Sequence, residues 1–342
     1  MKSIVIHAAG DLRVEQCEAG EPGPGEVRIA MATGGICGSD LHYYKHGGFG
    51  AVRLREPMIL GHEVAGHVEK TGPGVTRVAP GDLVAINPSR PCGRCRYCDR
   101  AEFNHCLNMA FYGSAMPFPH VQGAFRSSLV VREDQCEKAA QGVSAGEAAM
   151  AEPFSVALHA VAQAGGVAGK RVLVTGCGPI GALCIIAARH AGAAEIVVSD
   201  IARPALEFAR TIGADVTLDA ALPASFEPYA RDKGTFDVAL ECSGTPDALV
   251  SALQVARPRA VIVQLGLGGD MTVPMNMLVA KEISLRGSFR FHPEFAQAVT
   301  LINDRTVDLT PLISATYGMD DAVAAFELAS DRSRAMKVQL KF

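Results

Sequence analysis

The chain has 342 residues, of which 49% are hydrophobic, so it is long and apolar enough to form two domains with their own cores. Its formal net charge of −4 gives no general attraction to nucleic acid or to an anionic membrane, and neither is expected as a partner. The apolar runs are shorter than the roughly 20 residues that span a bilayer, and the first residues, MKSIVIHAAGDLRVEQ, lack a secretory-signal pattern, which predicts a cytoplasmic location.

Residues 1–150 contain short apolar stretches that glycine and proline interrupt, such as EVRIAMATGG, GHEVAGHVEKTG and GDLVAINP. This pattern is typical of a β-rich domain with long loops. The pattern changes at MAEPFSVALHAVAQAG, which predicts a helix.

Residues 151–289 alternate between strand-like and helix-like segments. An apolar run from Val172 to Thr175 precedes a glycine turn, a helix from Pro179 to about His190, and a second apolar run from Ile196 to Val198. This is a βαβ unit, and its continuation as far as EISLRGSF predicts a doubly wound parallel sheet. Residues 290–342 predict two helices, HPEFAQAVTLIND and DDAVAAFELASD, and a closing strand, MKVQLKF.

The glycine turn has the G-x-G-x-x-G pattern of a dinucleotide site, with Gly176 for the turn, Gly178 for a close approach of pyrophosphate and Gly181 for helix packing. Pro179 suits the first helical turn, whose amides attract phosphate. Asp200 ends the next apolar run, where an acid binds ribose hydroxyls, so NAD is favoured over NADP. An ordinary glycine turn is the alternative. Arg203 lies close to Asp200 in sequence, and its positive charge leaves binding of NADP open. The remaining residues assigned to this site are Ile180, Gly244, Leu265, Gly266 and Ser288.

Four cysteines with C-x2-C-x2-C-x7-C spacing lie in PCGRCRYCDRAEFNHC: Cys92, Cys95, Cys98 and Cys106. In a reducing compartment such clustering predicts a metal rather than disulfides, and the short gaps suit tetrahedral zinc. An iron–sulfur cluster also accepts four thiolates, and free thiols or a zinc ribbon that binds DNA are further alternatives. Arg94 and Arg96 would offset the thiolate charge. Because the four cysteines fill the coordination sphere, the site is predicted to be structural rather than catalytic.

Two further segments contain metal-ligand residue types. GGICGSDLHYY supplies Cys37, Ser39 and His42, and PMILGHEVAGHV supplies His62 and Glu63. Taken singly, such a cysteine or histidine is more often an ordinary core residue.

Together with the four-cysteine stretch, AEPFSVALHA, VTGCGPIGAL and RGSFR, these segments resemble the zinc-dependent medium-chain alcohol and polyol dehydrogenases along nearly the whole chain. The resemblance implies an α/β protein with a GroES-like catalytic domain at 1–150 and 290–342, which includes a structural-zinc lobe at about 88–110. It implies a Rossmann domain for NAD at 151–289 and an active site in the cleft between the domains. A homotetramer is expected by analogy.

The same resemblance implies that Cys37, His62 and Glu152 hold a catalytic zinc, with Glu63 as a nearby or exchanging ligand. Many alcohol dehydrogenases of the family carry cysteine at the position of Glu152, whereas an acid there is typical of the polyol branch. Zinc would lower the pKa of a substrate hydroxyl before hydride passes to the nicotinamide. Ser39 and His42 match the family's proton relay, although a solvent-facing loop histidine is the alternative for His42.

GSAMPFPHVQGAFR, INPSRPCGRCRYC and RGSFRF most resemble the members that oxidise an aldonate, L-idonate to 5-ketogluconate. Arg290 is the first candidate to meet the substrate carboxylate, and Tyr43 and Phe111 are candidates to line the pocket. Weaker cationic candidates are Lys45, His46, Arg53 and Arg55. The rival functions are a sorbitol, xylitol or galactitol dehydrogenase and a scaffold that binds NAD without catalysis.

Overall fold

Two units make up the chain in the computed structural model, which describes residues 1–18 and 20–342. Unit 1 contains Met1–Glu152 and Phe295–Phe342, and unit 2 contains Pro153–Glu294. Within the described residues, no helix has both the length and the apolar character that a membrane crossing requires.

The first part of unit 1 is rich in strands, as its sequence pattern predicts. Its strands are β1 (Lys2–Ala8), β2 (Asp11–Gln16), β3 (Glu26–Gly35), β4 (Gly48–Phe49), β5 (Val52–Arg53), β6 (Met58–Ile59), β7 (Glu63–Thr71), β8 (Leu83–Ile86), β9 (Ser89–Arg90), β10 (Ala110–Phe111), β11 (Ser128–Arg132) and β12 (Cys136–Lys138). Its helices are α1 (Gly38–His46) and α2 (Ala145–Ala149).

Helix α3 (Ala151–Gln163) leads the chain into unit 2, where strands and helices alternate. The strands are β13 (Arg171–Thr175), β14 (Glu195–Asp200), β15 (Val216–Asp219), β16 (Phe236–Glu241), β17 (Ala256–Gln264) and β18 (Ser284–Gly287). The helices are α4 (Pro179–His190), α5 (Arg203–Thr211), α6 (Glu227–Ala230), α7 (Pro246–Val255) and α8 (Met275–Ala280). The chain then returns to unit 1 through α9 (Glu294–Asn303), β19 (Ile313–Gly318), α10 (Ala322–Ser330) and β20 (Lys337–Lys341).

Strand β3 lies inside the main sheet of unit 1, whose order is β12-β8-β7-β3-β20-β19, and β11 also pairs with β3. Alternate residues of β3 are buried, which is the period-2 pattern of a strand with one face on a core. The register places Gly35 at the end of β3 opposite both Glu63 and Gln339. The end of β3, the start of β7 and the strand β20 therefore meet at one place.

The sheet of unit 2 has six parallel strands in the order β15-β14-β13-β16-β17-β18. Its central strands are continuous buried apolar runs, as expected for a parallel sheet that is covered on both faces. The parallel sheet predicted for this part of the chain is confirmed. Chain order runs outward from β13 on one side and from β16 on the other, so the strand order reverses between them. Ligands of open α/β sheets bind at the carboxyl ends of strands at such a point.

Candidate active site and metal centres

A buried cluster of metal-ligand types lies at one end of the main sheet of unit 1. One ligand atom each from Cys37, His62 and Glu63 lies within 4.8 Å of the other two. Cys37 precedes α1 with an extended backbone, and Glu63 begins β7 directly after His62. Three of the residues that the sequence assigns to the reaction centre thus lie together.

Asp40 connects these segments, and the sequence analysis missed it. Its Oδ2 accepts a hydrogen bond from the Cys37 amide (3.0 Å), and its Oδ1 accepts one from the Gly61 amide (3.2 Å) and lies 4.0 Å from Nδ1 of His62. Burial raises the pKa of Asp40, while His62 and the two amides favour its charged form. Asp40 thereby holds the residue before α1 and the residue before His62 together, while 4.0 Å is too long for a hydrogen bond to the His62 ring. The C-x-x-D spacing of a helix N-terminus was the signal that would have found it.

Lys337, in β20, is the second residue that the sequence analysis missed. Its Nζ donates to both oxygens of Glu63, at 2.8 Å each, and to the Ile36 carbonyl at 3.1 Å. Burial alone would lower the pKa of Lys337, but Glu63 and neighbouring anions outweigh it and raise that pKa. A Cβ at Gly35 would lie 2.2 Å from Glu63 Oε2, so this glycine makes room for the ion pair.

Glu152 lies in the first turn of α3 and is buried. It is not part of the 4.8 Å group of ligand atoms, but Cys37, His62, Glu63 and Lys337 are close enough to influence its ionisation. Burial raises the pKa of Glu152 to about 8, His62 opposes the rise and Glu63 adds to it. The structure therefore places Glu152 beside the cluster and Glu63 within it.

The donor set suits a divalent cation. Lys337 balances Glu63, whereas a Cys37 thiolate and a Glu152 carboxylate would leave two negative charges in a buried site. Burial raises the pKa of the Cys37 thiol to about 12, so a thiolate there needs a cation. Among the described residues, Nδ1 of His62 has no hydrogen-bond partner. Sulphur, nitrogen and oxygen donors together are typical ligands of zinc.

The proposed relay residues lie on α1, next to the cluster. Ser39 lies close enough to Cys37 for its side chain to oppose the rise in the pKa of that thiol. His42 is half-buried, with its ring centroid 5.7 Å from that of Phe49 and 6.2 Å from that of His46, and burial lowers its pKa. A histidine that is neutral at working pH can accept a proton, which fits the predicted role.

The substrate candidates occupy different surroundings. The ring of Phe111 lies 5.3 Å from that of His62, so it borders the cluster. Tyr43 is 1% exposed, and its hydroxyl accepts a hydrogen bond from the Ala115 amide, as in a core aromatic. Arg290 lies in unit 2 with φ +56°, which L residues rarely adopt.

The weaker cationic candidates mostly have local partners. The Lys45 Nζ lies 3.5 Å from the Ser330 carbonyl, Arg53 donates to the carbonyls of Gly50 and Val52, Arg55 stacks over Phe118 at 4.3 Å, and His46 is exposed.

One ligand atom from each of the four clustered cysteines lies within 4.8 Å of the other three, and three of the four cysteines are buried. Backbone amides point at the sulphurs: Cys106 Sγ accepts from the amides of Cys92 (3.1 Å) and Asn108 (3.4 Å). Backbone donors, first that of Cys98, lower the pKa of Cys95 to about 6, while burial raises that of Cys106 to about 11. Amides that stabilise thiolates are typical of a zinc site.

In unit 2 the glycine turn has the geometry that a dinucleotide needs. Gly176 has φ +83°, and a Cβ there would lie 2.9 Å from Ser243. A Cβ at Gly181 would lie 1.8 Å from the Gly176 carbonyl oxygen, so helix and turn pack as closely as glycine allows. Gly178 faces open space within 4 Å of its Cβ position, which leaves room for pyrophosphate at the start of α4.

Asp200 ends β14 beside this turn. Its oxygens accept from the amides of Cys177 (2.7 Å) and Ala202 (2.8 Å), which hold the carboxylate in place. Arg203 is exposed and pairs with Glu207. The hydroxyl of Ser288 and Oε1 of Gln264 are buried polar atoms without partners among the described residues, as expected where a polar ligand binds.

The other residues assigned to the cofactor lie at the same sheet edge or at the start of α4. Gly244 has φ +71°, and the amides of Leu265 and Gly266 donate to the Glu241 carbonyl. Ile180 is the second residue of α4.

Two family profiles match the chain. The profile for the alcohol dehydrogenase GroES-like domain matches residues 23–141, and that for the zinc-binding dehydrogenase matches residues 179–304. The chain belongs to the zinc-binding alcohol dehydrogenase family. The GroES-like and Rossmann parts of the predicted fold class are thereby confirmed, and the family implies zinc and NAD(P) as cofactors of this zinc-binding dehydrogenase.

Relatives of this zinc-binding dehydrogenase act on sugar acids and polyols. L-idonate 5-dehydrogenase (NAD(P)(+)) from Escherichia coli is 44% identical over 315 residues, or 92% of this chain and 91% of that protein. A crystal structure of L-idonate 5-dehydrogenase from Escherichia coli matches 100% of this chain and 98% of its own, with TM-score 0.95 and 41% sequence identity. Sorbitol dehydrogenase from Gallus gallus is 34% identical and covers 99% of this chain and 96% of that protein.

Proposed function

We propose that this zinc-binding dehydrogenase transfers hydride between NAD and a secondary hydroxyl of a sugar acid, with L-idonate and 5-ketogluconate as the first substrate pair. The observation that carries the proposal is the buried group of Cys37, His62 and Glu63 with Glu152 beside it. A scaffold that only binds NAD would have no need to hold these ionisable groups together out of water, where each one costs folding free energy.

Cys37, His62 and Glu152 would hold the catalytic zinc, and four cysteines would hold a structural one. The ion would supply Lewis-acid chemistry that lowers the pKa of an alcohol, and NAD would supply the hydride acceptor. Asp40 ties together the segments that carry Cys37 and His62, because it accepts from the amides of Cys37 and Gly61, and the Phe111 ring packs against the His62 ring. Ser39 and His42 would carry the hydroxyl proton away from the site.

Glu63 and Glu152 compete as the carboxylate ligand, and their surroundings favour Glu152. Both oxygens of Glu63 already accept from Lys337, which compensates its charge. Glu152→Gln is therefore expected to lose the catalytic zinc, and Glu63→Gln to keep it. Zinc per chain, measured by mass spectrometry on protein dialysed against weak chelator, separates the two. The reverse result would make Glu63 the ligand.

The aldonate is preferred as substrate because the relative at 44% identity is an L-idonate 5-dehydrogenase, whereas sorbitol dehydrogenases are at about 34%. Arg290 is proposed to bind the aldonate carboxylate, because it is the cation in RGSFR, the segment whose resemblance to the polyol dehydrogenases assigns it to the substrate. Arg290→Met should raise KM for the aldonate by about tenfold or more, because a charge-assisted contact is lost, and leave KM for polyols unchanged.

The deciding experiment is a substrate panel. L-idonate, D-gluconate, D-galactonate, sorbitol, xylitol and galactitol are each tested with NAD and with NADP, and NAD(P)H formation is followed by absorbance. Highest kcat/KM with L-idonate and NAD supports the proposal. A polyol that is turned over as efficiently as any aldonate would favour a polyol dehydrogenase, which the sorbitol dehydrogenase relatives make the second candidate. No reduced cofactor with any compound would indicate the scaffold.

A homotetramer and a cytoplasmic location remain predictions. Light scattering coupled to size-exclusion chromatography would test the first, with 35.9 kDa as the mass of one chain.

A further inference from the structure

Glu241 is the last residue of β16, and its side chain is fully buried at the carboxyl edge of the parallel sheet in unit 2. Its carboxylate accepts hydrogen bonds from five neutral donors: the hydroxyls of Thr175 and Ser243, the amides of Ser243 and Gly244, and the Gln264 side chain. An ionised carboxylate out of water is stable only when it is paired or fully hydrogen-bonded. Here dipoles, rather than a cation from the described part of the chain, balance the charge.

The donors come from three adjacent strand ends. Thr175 ends β13 immediately before the glycine turn, Ser243 and Gly244 lead from β16 towards α7, and Gln264 ends β17. The backbone carbonyl of Glu241 adds two more contacts, since it accepts from the amides that follow Gln264, at 2.8 and 2.9 Å. One residue therefore connects all three loops at the edge where the strand order reverses.

These loops also lie directly against one another. A Cβ at Gly176 would lie 2.9 Å from Ser243, and one at Gly266 would lie 2.1 Å from the Gly244 amide nitrogen. A shift of the Ser243–Gly244 segment would therefore displace the turn that faces pyrophosphate. The carboxylate lies beneath this contact and holds both sides of it.

Glu241 also determines how Gln264 is oriented. Nε2 of Gln264 donates to Glu241 and to the Gly266 carbonyl (2.9 Å). The other polar atom of this side chain, Oε1, is buried and has no hydrogen-bond partner among the described residues. An acceptor is thereby presented at this edge. A neutral or reoriented partner at position 241 would allow the amide to flip.

We propose that Glu241 is a positioning residue for the dinucleotide: its ionised carboxylate arranges the three loops of the cofactor site before NAD binds. A site that is already ordered loses less conformational entropy when its ligand arrives, so the effect lies in cofactor affinity. The inference rests on NAD binding, which is part of the proposed function. Glu241 itself need not touch the cofactor.

The test is Glu241→Gln, which keeps the shape of the side chain. It removes the negative charge and replaces one acceptor oxygen with an NH2 group, which cannot accept from the five surrounding donors. Kd for NADH is measured by titration of NADH fluorescence, which is excited at wavelengths that protein side chains do not absorb. We expect Kd for NADH and KM for NAD to rise by about tenfold or more, with kcat and KM for the alcohol within about threefold of wild type.

Asp237→Asn is the matched control. Asp237 lies on the same strand at its opposite end, where it accepts from the Arg171 amide (2.8 Å) and Arg257 (2.6 Å). The Asp237→Asn variant is expected to have a lower melting temperature than wild type and the same Kd for NADH. Equal Kd in Glu241→Gln and wild type, whatever the melting temperature, would overturn the inference. A rise in both variants alike would do the same, because it would mean general loosening of the sheet.

If Glu241→Gln does not fold, Thr175→Val and Ser243→Ala each remove one hydroxyl donor and leave the carboxylate. Each should weaken NADH binding by about threefold or more, and unchanged affinity in both would overturn the inference. Failure of the proposed function looks different: a polyol dehydrogenase or an NAD-binding scaffold would change the result of the substrate panel while wild type and variants still differ in Kd for NADH. A wild-type chain that binds no NADH would overturn both the proposed function and the inference.

Discussion

Lys337→Met tests whether the buried ion pair with Glu63 shapes the reaction centre. Methionine keeps most of the length of the lysine side chain but removes the ammonium, so Glu63 would keep its charge with no cation in contact. The Lys337 side chain is 3% exposed and that of Glu63 is 1% exposed, so water cannot replace the lost partner without rearrangement. The free energy of unfolding should therefore fall.

The magnitude follows from the geometry. At the 2.8 Å between Nζ and each oxygen, unit charges in a medium of effective dielectric constant about 20 attract by about 6 kcal/mol. Part of this offsets the cost of burying both groups, and removal of one partner of a buried pair usually costs about 3–5 kcal/mol. The lost hydrogen bond to the Ile36 carbonyl is included in that range.

The assay is equilibrium denaturation of variants at equal zinc content. Lys337→Met alone should lose about 3–5 kcal/mol, whereas Lys337→Met combined with Glu63→Gln should recover at least about 2 kcal/mol of this, because no uncompensated charge remains. The control is Lys2→Met, which breaks the exposed Lys2–Asp320 pair and should cost at most about 1 kcal/mol.

A loss from Lys337→Met no larger than that from Lys2→Met would refute the reasoning. So would a double variant less stable than Lys337→Met, since the penalty would then not come from the orphaned Glu63 charge.

Four further outcomes are expected. Metal analysis of the wild type should give about two zinc ions per chain and Cys95→Ser about one; a single zinc or any iron in the wild type would contradict the two-site assignment. Cys37→Ala should abolish turnover and keep NADH affinity, and residual wild-type turnover would exclude Cys37 from the mechanism. Asp200→Gly should reduce the ratio of kcat/KM for NAD over NADP, and an unchanged ratio would show that Asp200 does not select the ribose. Gly178→Ala should keep the melting temperature but weaken NADH binding, whereas Gly181→Ala should lower the melting temperature, because only the second Cβ meets backbone, at 1.8 Å; equal melting temperatures would contradict the packing argument.

The sequence predicts those features whose geometry is set within a few residues. The glycine turn is one, since positive φ at Gly176 and the close contact at Gly181 follow from the spacing of a strand, a turn and a helix. The four-cysteine lobe is another, because gaps of two residues allow one chain segment to surround an ion. The parallel sheet is a third, since its strands and helices alternate regularly along the chain.

The charged partners of the site could not be predicted in this way. Lys337 reaches Glu63 across 274 residues of sequence, through the register of β20 on β3, and a lysine in MKVQLKF gives no local sign of burial. The room for this pair comes from Gly35, which lies opposite Glu63 through the pairing of β3 with β7. Asp40 differs, because its spacing from Cys37 was readable as a helix cap, but its proximity to His62 depends on where β7 begins.

Two buried carboxylates, those of Glu63 and Glu152, lie near Cys37, and distance and charge favour different ones as the metal ligand. Distance alone selects Glu63, since its oxygen lies within 4.8 Å of the ligand atoms of Cys37 and His62. Charge selects Glu152, because Lys337 already satisfies Glu63 and burial leaves Glu152 with a pKa raised to about 8, a group that gains most from a nearby cation. Two acids with opposite surroundings usually have different roles. The ion pair of Glu63 with Lys337 and the raised pKa of Glu152 are consistent with the proposal that Glu152 is the resident ligand and Glu63 an exchanging one.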